Sequence, residues 1–341
     1  AGSCLIFPAQ DTGGQIDLYV NSMVRTVTTN EEGKATGVSF INKEDKTEYK
    51  LKAKVVVLAA SACSSARILL NSKSKQHPNG LGNSSDVVGK YLHDSTGGGR
   101  MAFLPELVDR KIYNEDGVGG MHVYSPWWLD NKNLNFPRGY HIEVWGGMGA
   151  PSYGSGFNVN DLNKFFGIKV GGYGDMLRTD MRKYYGTVLG MDGRGESIAM
   201  ESNYCEIDPV KVDEFGVPIL RFNYKWSNHE VNQAKHMQDT FEEIIHNMGG
   251  IALGNKPGKD RNYGLTKPGE IIHEVGTTRM GSDPKTSVVN EFEQLHDVSN
   301  VFVVDAGPFV SQADKNPTWT IMALAWRTSD YIVDQFKKQN F

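Results

Sequence analysis

The chain has 341 residues, a formal net charge of −4 and a sequence pI near 6.2. Its length suits two domains better than one, and 39% hydrophobic with 22% charged residues is an ordinary globular composition. No run rich in Lys or Arg offers an electrostatic basis for nucleic-acid binding. The longest purely apolar stretch, near 55–60, is far shorter than the roughly 20 residues of a membrane helix, so we predict no membrane span.

The cysteines indicate neither disulfides nor a metal site. Cys4, Cys63 and Cys205 are widely separated and odd in number. This argues against a disulfide framework and against a metal site of the Cys-x-x-Cys kind. The histidines show no convincing metal-ligand spacing either, so no metal is predicted.

The first ninety residues predict several strands and one helix. Residues 15–29 have an extended pattern, and 37–42 alternate as the partner strand of a hairpin would. A third short strand is predicted at 49–51. The β-branched run at 54–60 indicates a strand buried on both faces, and a helix near 66–70 follows it.

The composition changes between about 97 and 267, where Gly, Trp, Tyr and Asn become dense. This segment predicts strands and long loops, with clear strands at 203–208 and 218–224. Three tryptophans here could stack on a flat ligand, although aromatic side chains more often fill cores. They are Trp127, Trp128 and Trp145.

One helix in this segment has both of its ends marked. Ser227 and Glu230 form a capping box at its start. Apolar residues then recur on one helical face until Gly249-Gly250, which ends the helix.

The last seventy residues return to an α/β pattern. Residues 301–304 predict a short buried strand that ends at Asp305. Asn316 is expected as the N-cap of a helix with Pro317 at its first position, and this helix runs to about Phe336. We therefore expect an α/β unit that is interrupted by a β-rich insertion and then resumed.

Three segments resemble one enzyme family when taken together. They are His273-Glu-Val-Gly-Thr-Thr-Arg-Met-Gly281, the strand 303–307 followed by Asn316-Pro-Thr, and the run 56–70. In this order they resemble the C-terminal two-thirds of the glucose–methanol–choline (GMC) oxidoreductases. The strongest resemblance is to the branch with gluconate and sorbitol dehydrogenases, glycoside 3-dehydrogenases and pyranose oxidases.

The resemblance implies a fold of the α/β (α+β) class. It comprises a partial FAD-binding, Rossmann-like domain over 1–96, an inserted β-rich substrate-binding domain over 97–267, and a return segment over 268–341. The implied activity is FAD-dependent oxidation of a CH–OH group of a sugar, polyol or glycoside, with hydride transfer to flavin N5.

The implied catalytic residues are His273, as the base that accepts the substrate hydroxyl proton, and Asn316, as its partner. Imidazole suits the first role because its ordinary pKa of about 6.5 leaves it neutral near neutral pH. An amide suits the second because it donates to the substrate oxygen without competing for the proton.

Further contacts follow from the same resemblance. The implied FAD-binding residues are Val24, Ala59, Ala60, Ser61, Asp305, Ala306, Asn316 and Thr318. The implied substrate-binding residues are Glu206 and Ile271. Ordinary packing would explain the small residues at 59–61 almost as well, and a solvated strand face would explain Glu206 equally well.

One expected part of such a flavoprotein is missing from the sequence. A strand followed by Gly-x-Gly-x-x-Gly and a helix normally holds the FAD diphosphate, and no such motif occurs in the 341 residues. We therefore expect an additional N-terminal FAD-binding segment, either in the same polypeptide or in a separate chain.

Two other functions compete with this interpretation. A catalytically silent carbohydrate-binding or assembly module would also lack the nucleotide-binding motif, but it would have no need for both His273 and Asn316. A nicotinamide-dependent dehydrogenase is disfavoured because the dinucleotide fingerprint is absent.

The expected partners are a small sugar or polyol and, from the resemblance, small or cytochrome electron-transfer subunits. No nucleic acid is expected. The compartment stays open between bacterial periplasm and cytoplasm, with no signal-peptide pattern visible.

Overall fold

The computed structural model describes residues 2–13, 15–111, 132–146, 173–184 and 186–341. Trp127 and Trp128, and the side chain of Trp145, lie outside the described residues. No helix in these ranges combines the length and the apolar character needed to cross a membrane. The helices and strands, in chain order, are α1 (Phe7–Asp11), β1 (Ser22–Thr29), β2 (Ala35–Asn42), β3 (Glu48–Lys52), β4 (Val56–Leu58), α2 (Ala62–Asn71), β5 (Thr96–Phe103), β6 (Tyr140–Gly146), α3 (Gly174–Tyr184), β7 (Val188–Gly195), β8 (Tyr204–Val212), β9 (Pro218–Asn223), α4 (Asn228–Asn247), β10 (Ile251–Leu253), β11 (Val301–Val303) and α5 (Thr318–Lys337).

Strands β1, β2 and β3 form an antiparallel sheet. The hairpin and the third strand predicted from the sequence are confirmed. Within the predicted extended segment 15–29, the strand begins only at Ser22, because residues 15–19 have no regular secondary structure and residues 20 and 21 form a turn.

Strands β4 and β11 lie side by side and parallel, with Val301 opposite Val56. Residues 59–300 separate them along the chain, so the structure has the pairing of distant strands that an interrupted and then resumed α/β unit requires. The prediction that the β4 strand is buried on both faces is wrong. Val57 points outward with 46% of its surface exposed, while Val56 and Leu58 are buried in the core under α2.

The inserted segment forms an antiparallel sheet in the order β10-β5-β7-β6. Helix α4 packs on it through Met237, Phe241 and Ile245. Gly193 of β7 permits this approach, since a Cβ atom there would lie 2.6 Å from the sulfur of Met237. Strands β8 and β9 form a separate hairpin.

The two long helices begin differently from one another. Helix α4 has the predicted capping box, in which the backbone N–H of Ser227 donates to the carboxylate of Glu230 across 2.7 Å. Helix α5 lacks the predicted cap: it begins at Thr318, Pro317 holds the N-cap position, and no side chain caps it. Its predicted end near Phe336 agrees with the observed end at Lys337.

Candidate active site

His273 lies on an irregular segment, held at its backbone and at its ring. Its N–H donates to Oδ1 of Asp94 across 3.0 Å, and its Nδ1 lies 3.3 Å from Oγ of Ser95. The side chain is half-buried. Burial, with the positive charge of Arg194, lowers the pKa of His273 below its ordinary value of 6.5. The imidazole is therefore neutral, and able to accept a proton, at neutral pH.

The residue before His273 has a strained backbone. Ile272 has a φ of +61°, a conformation that a β-branched residue rarely adopts. Such strain persists only where the surrounding contacts fix the chain, and here the bond from His273 to Asp94 does so. Strain of this kind is typical of functional sites.

Asp94 is itself fixed by several bonds. Its Oδ1 also accepts the N–H of Ser95 across 2.7 Å, its own N–H donates to the hydroxyl of Tyr224, and its carbonyl accepts from Ser197 Oγ. Burial raises the pKa of Asp94 to about 6, and the negative charge of Glu274 adds to the rise. Asp94 is therefore a rigid support for the His273 backbone.

A charged group on β6 and β7 faces the same region. His141 and Glu143 lie on one side of β6, and Arg194 is opposite His141 on β7. Nε2 of His141 lies 3.2 Å from Oε1 of Glu143, and Nε of Arg194 lies 3.6 Å from its Oε2. The charges of Arg194, Glu143 and His141 all act on the pKa of His273, which places the group near the imidazole.

Sequence reasoning missed this charged group. The only available signal was the alternation of His141 and Glu143 within a strand otherwise composed of apolar and aromatic residues. Their pairing with Arg194 is not local in sequence, so periodicity could not reveal it.

Asn316 is exposed and lies at the end of the segment between β11 and α5. Two side chains of this segment reach the site. Nε2 of Gln312 donates to Ser95 Oγ across 2.7 Å, and Oδ2 of Asp314 lies 3.4 Å from Nδ1 of His141. Among the described residues, the connection from this segment to His273 runs through Ser95.

Asp305 connects the two halves of the α/β unit. Its carboxylate accepts the N–H of Gly307 and the hydroxyl of Ser65, and the oxygen of Ser65 in turn accepts the backbone N–H of Ala60. The structure therefore brings together Asp305 and Ala60 from the predicted FAD-binding set. Burial raises the pKa of Asp305 despite these bonds.

The Gly-Thr-Thr part of the 273–281 motif has a structural role. Gly276 has a φ of +95°, and a Cβ atom there would lie 2.3 Å from the carbonyl oxygen of Tyr91. Its N–H donates to the carbonyl of Ala306, and the hydroxyl of Thr277 donates to the carbonyl of Ala62 in α2. The motif thus ties His273 to the segments around β4 and β11.

A cavity of about 390 Å³ lies beside the carboxyl end of β4. Three predicted FAD-binding residues line it, namely Val24, Ala59 and Ala60. The following residue, Ser61, has φ 81° and ψ 156°, a region that is almost exclusive to glycine. Thr318, another predicted residue of this set, is exposed on the first turn of α5.

The positions of the two predicted substrate-binding residues, Glu206 and Ile271, do not by themselves indicate a binding role. Glu206 forms a surface ion pair with Arg221 across the β8–β9 hairpin, at 2.8 Å. This matches the solvated strand face that the sequence left open. Ile271 is buried and packs against Gly97 of β5, where a Cβ atom would lie 2.4 Å from its Cδ1. Their contact with a substrate stays a prediction.

Comparison with known proteins identifies a family. Residues 3–96 and residues 201–325 each match a family described as GMC oxidoreductase, and together they span more than half of the chain. The chain is 30% identical to 2-methyl-1,2-propanediol dehydrogenase of Mycolicibacterium austroafricanum, over 94% of this chain and 55% of that protein. It is 27% identical to the gluconate 2-dehydrogenase flavoprotein of Pantoea cypripedii, over 98% of this chain and 53% of that protein.

The fold also resembles a solved structure. Formate oxidase of Aspergillus oryzae RIB40 aligns with a TM-score of 0.61 at 13% identity, over 93% of this chain and 60% of that one. The chain thus spans about half the length of the curated relatives that it matches.

Proposed function

The chain belongs to the GMC oxidoreductase family, and we propose that it forms the substrate side and part of the FAD site of an enzyme that oxidises a CH–OH group of a sugar, polyol or glycoside. FAD is the cofactor of this family. The observation that carries the proposal is the position of His273, whose neutral imidazole is held by Asp94 and Ser95 near the charged group on β6 and β7.

The cavity beside β4 suits part of a dinucleotide. It lies at the carboxyl end of a parallel strand, where α/β sheets bind their ligands. The small side chains of Ala59 and Ala60 let a planar ring approach the backbone closely. Val24 would contact the ring system, and Asp305 would hold the turn at Ala60 in place through Ser65. A bound flavin would supply the acceptor for the hydride that leaves the substrate carbon.

His273 takes the proton of the substrate hydroxyl at Nε2. Ser95 Oγ already accepts from Gln312, and its second lone pair can accept from Nδ1–H of His273. This bond fixes the tautomer that leaves the lone pair on Nε2. The lowered pKa of His273 keeps that lone pair free at neutral pH. Asn316 donates from its amide to the substrate oxygen and orients it.

The charged group supports a polyhydroxylated, uncharged substrate. Arg194 supplies several N–H donors and Glu143 supplies acceptors, as the vicinal hydroxyls of a sugar or polyol require. Because Glu143 and Asp192 lie within 3.9 Å of the guanidinium, its positive charge is largely compensated. With its charge compensated, this group selects a substrate by hydrogen-bond geometry. A carboxylate on the substrate therefore binds it little better than a hydroxyl does.

We also propose that a Gly-x-Gly-x-x-Gly segment covers one face of this chain in the working enzyme. Helix α5 exposes Trp319, Met322 and Trp326 with 87%, 60% and 74% of their surfaces, and Val57 is exposed on β4. An apolar surface of this kind marks an interaction site. Binding of a hydrophobic dye to the chain, abolished when a Gly-x-Gly-x-x-Gly segment is present in the same polypeptide or as a separate chain, would support this. Small or cytochrome electron-transfer subunits stay a prediction.

The test of the proposed function uses the complete, FAD-loaded enzyme. We expect His273→Gln to slow flavin bleaching by sugars or polyols by about 10²–10⁴-fold, the usual contribution of a general base. His77→Gln is the matched control, because among the described residues the His77 side chain bonds only the turn carbonyl of Gly33, and it should leave the rate unchanged. A wild-type rate in His273→Gln would contradict the proposal.

A further inference from the structure

His141 connects two parts of the molecule through its two ring nitrogens. The side chain is fully buried on β6. Its Nε2 lies 3.2 Å from Oε1 of Glu143 on the same strand. Its Nδ1 lies 3.4 Å from Oδ2 of Asp314, which belongs to the segment between β11 and α5. The imidazole therefore lies between two carboxylates that come from different parts of the fold.

Asp314 is one of two anchors on the segment that leads to Asn316. The other is Gln312, which donates to Ser95. Between them, Ala313 has a φ of +58°, in the left-handed region that disfavours residues with a Cβ atom. Such a conformation persists only where neighbouring contacts impose it, and the anchors at 312 and 314 flank it. Asn316 itself is exposed, so its position depends on these anchors.

We propose that His141 is a positioning residue, which fastens the segment carrying Asn316 to β6 through Asp314 and so sets the place of Asn316 at the site. The role of Asn316 in this proposal rests on the proposed function. The fastening of the segment to β6 does not. His141 contacts no reacting atom in this scheme. It acts only through the segment 311–316, which it holds against the four-stranded sheet.

The fastening depends on the charge of the imidazole. Burial alone would lower the pKa of His141, but the carboxylates of Asp314 and Glu143 outweigh burial and raise the pKa above 6.5, against an opposing effect of Lys315. The titratable and charged groups around it are Glu143 on β6, Arg194 and Asp192 on β7, Asp314 and Lys315 on the segment, and the imidazole of His273.

The sign of the pH effect follows from this rise. A histidine whose pKa is raised on folding contributes its stabilisation fully below 6.5 and loses it as pH rises through the folded pKa. His273 is shifted in the opposite direction. There is thus a pH interval in which His273 is neutral and His141 is charged, the pattern expected when two titrating groups have separate roles.

Hydrogen exchange of the full chain measures the fastening directly. In the wild type we expect amides of residues 311–316 to be protected at pH 6 and to lose protection as pH rises, after correction for the intrinsic exchange rate. His141→Gln and Asp314→Asn should each speed their exchange at pH 6 by about tenfold, the order expected when one partner of a hydrogen bond between charged groups is removed. The double variant should add little to either, because both remove one interaction.

The controls separate this effect from general unfolding. Amides of β5 and α4 must keep their protection in both variants, and His77→Gln must leave residues 311–316 unchanged. Unaltered exchange of 311–316 in Asp314→Asn, or wild-type protection that does not change with pH, would overturn the proposal.

A second measurement separates the failure of the fastening from that of the proposed function. In the FAD-loaded complete enzyme, the pH profile of flavin bleaching should have an alkaline limb that Asp314→Asn moves to lower pH. If exchange behaves as expected but no sugar or polyol bleaches the flavin at any pH, the fastening stands and the proposed function fails.

Discussion

The backbone N–H of His273 donates to Oδ1 of Asp94 across 3.0 Å, although 179 residues separate them. The same oxygen accepts the N–H of Ser95, whose hydroxyl lies beside Nδ1 of His273. One carboxylate therefore fixes both the backbone of His273 and the residue that lies beside its imidazole. Most of the support for the candidate base comes from the start of β5, far from the motif that contains it.

Asp94→Asn tests this support through the pH dependence of stability. The pKa of Asp94 rises on folding from 3.8 to about 6. Between these values the folded chain keeps a proton that the unfolded chain has lost, so the free energy of unfolding falls as pH rises through this window. Asparagine still accepts both N–H groups at Oδ1 but does not titrate.

We therefore expect Asp94→Asn to gain stability relative to the wild type as pH rises from about 4 to 6. Urea unfolding at pH 4.5 and pH 7 measures this gain. Asp94→Ala, which loses both acceptor bonds, should be less stable at every pH, by about 1–3 kcal/mol. If the stability of Asp94→Asn depends on pH as that of the wild type does, another group causes this pH dependence.

Asn316→Ala separates catalysis from helix capping. The Asn316 side chain is exposed, and no side chain caps α5. The free energy of unfolding should therefore change by less than about 0.5 kcal/mol. Loss of a donor to the substrate oxygen should slow flavin bleaching in the complete enzyme by about 10²-fold.

Ser227→Ala is the control, for which we expect lower stability and an unchanged rate of flavin bleaching. Ser227 caps α4, and its hydroxyl accepts the N–H of His229 across 3.1 Å, so its loss should cost about 1 kcal/mol with unchanged bleaching. Equal stability losses in both variants would mean that Asn316 has a capping role after all.

The contrast between these two helices shows what the sequence alone could predict. The capping box of α4 involves only residues 227–230, so local pattern was enough. The start of α5 depends on the contacts of Gln312 with Ser95 and of Asp314 with His141, which join distant segments. Local propensity favoured Asn316 as a cap, and these tertiary contacts determine the backbone instead.

The candidate site shows the same limit on what local sequence patterns can predict. The motif at 273–281 singled out His273, and the small residues after the predicted strand singled out Ala59 and Ala60, whose roles stay predictions. Strand alternation gave the face of Glu206 but not its partner Arg221, which is set by the register of the hairpin. The domain boundaries at 96 and 267 stay predictions.

Ser61→Gly tests the backbone strain at the turn after β4. Serine at φ 81° and ψ 156° costs about 1–3 kcal/mol, and glycine adopts this conformation without strain. Glycine also makes the unfolded chain more flexible, at a cost of about 0.5–1 kcal/mol. We expect a net gain near 1 kcal/mol in the free energy of unfolding, measured by urea unfolding.

Ser64→Gly is the matched control for this change. The hydroxyls of Ser61 and Ser64 bond each other at 3.2 Å, so both variants lose the same bond. Ser64 lies within α2, where glycine should lower stability by about 0.5–1 kcal/mol. If both variants lose stability alike, the turn is not strained.

Glu293→Gln tests a buried carboxyl beneath α5. Glu293 is fully buried, with one oxygen accepting the hydroxyl of Thr328 across 2.7 Å. Burial raises its pKa from 4.5 to about 7. Folding therefore favours the protonated form, and the free energy of unfolding falls as pH rises from about 4.5 to 7.

Glutamine keeps an acceptor for Thr328 and does not titrate, so the advantage of Glu293→Gln over the wild type should grow across that interval and level off above it. The interval extends to higher pH than that of Asp94, so a difference in the free energy of unfolding that still grows between pH 6 and pH 7 belongs to Glu293.

Urea unfolding of the two single variants and the double variant at pH 4.5, 6 and 7.5 resolves the two contributions. Because Glu293 and Asp94 lie on separate segments with no shared partner among the described residues, their effects should add. A double variant that keeps the full pH dependence would show that neither carboxyl causes it.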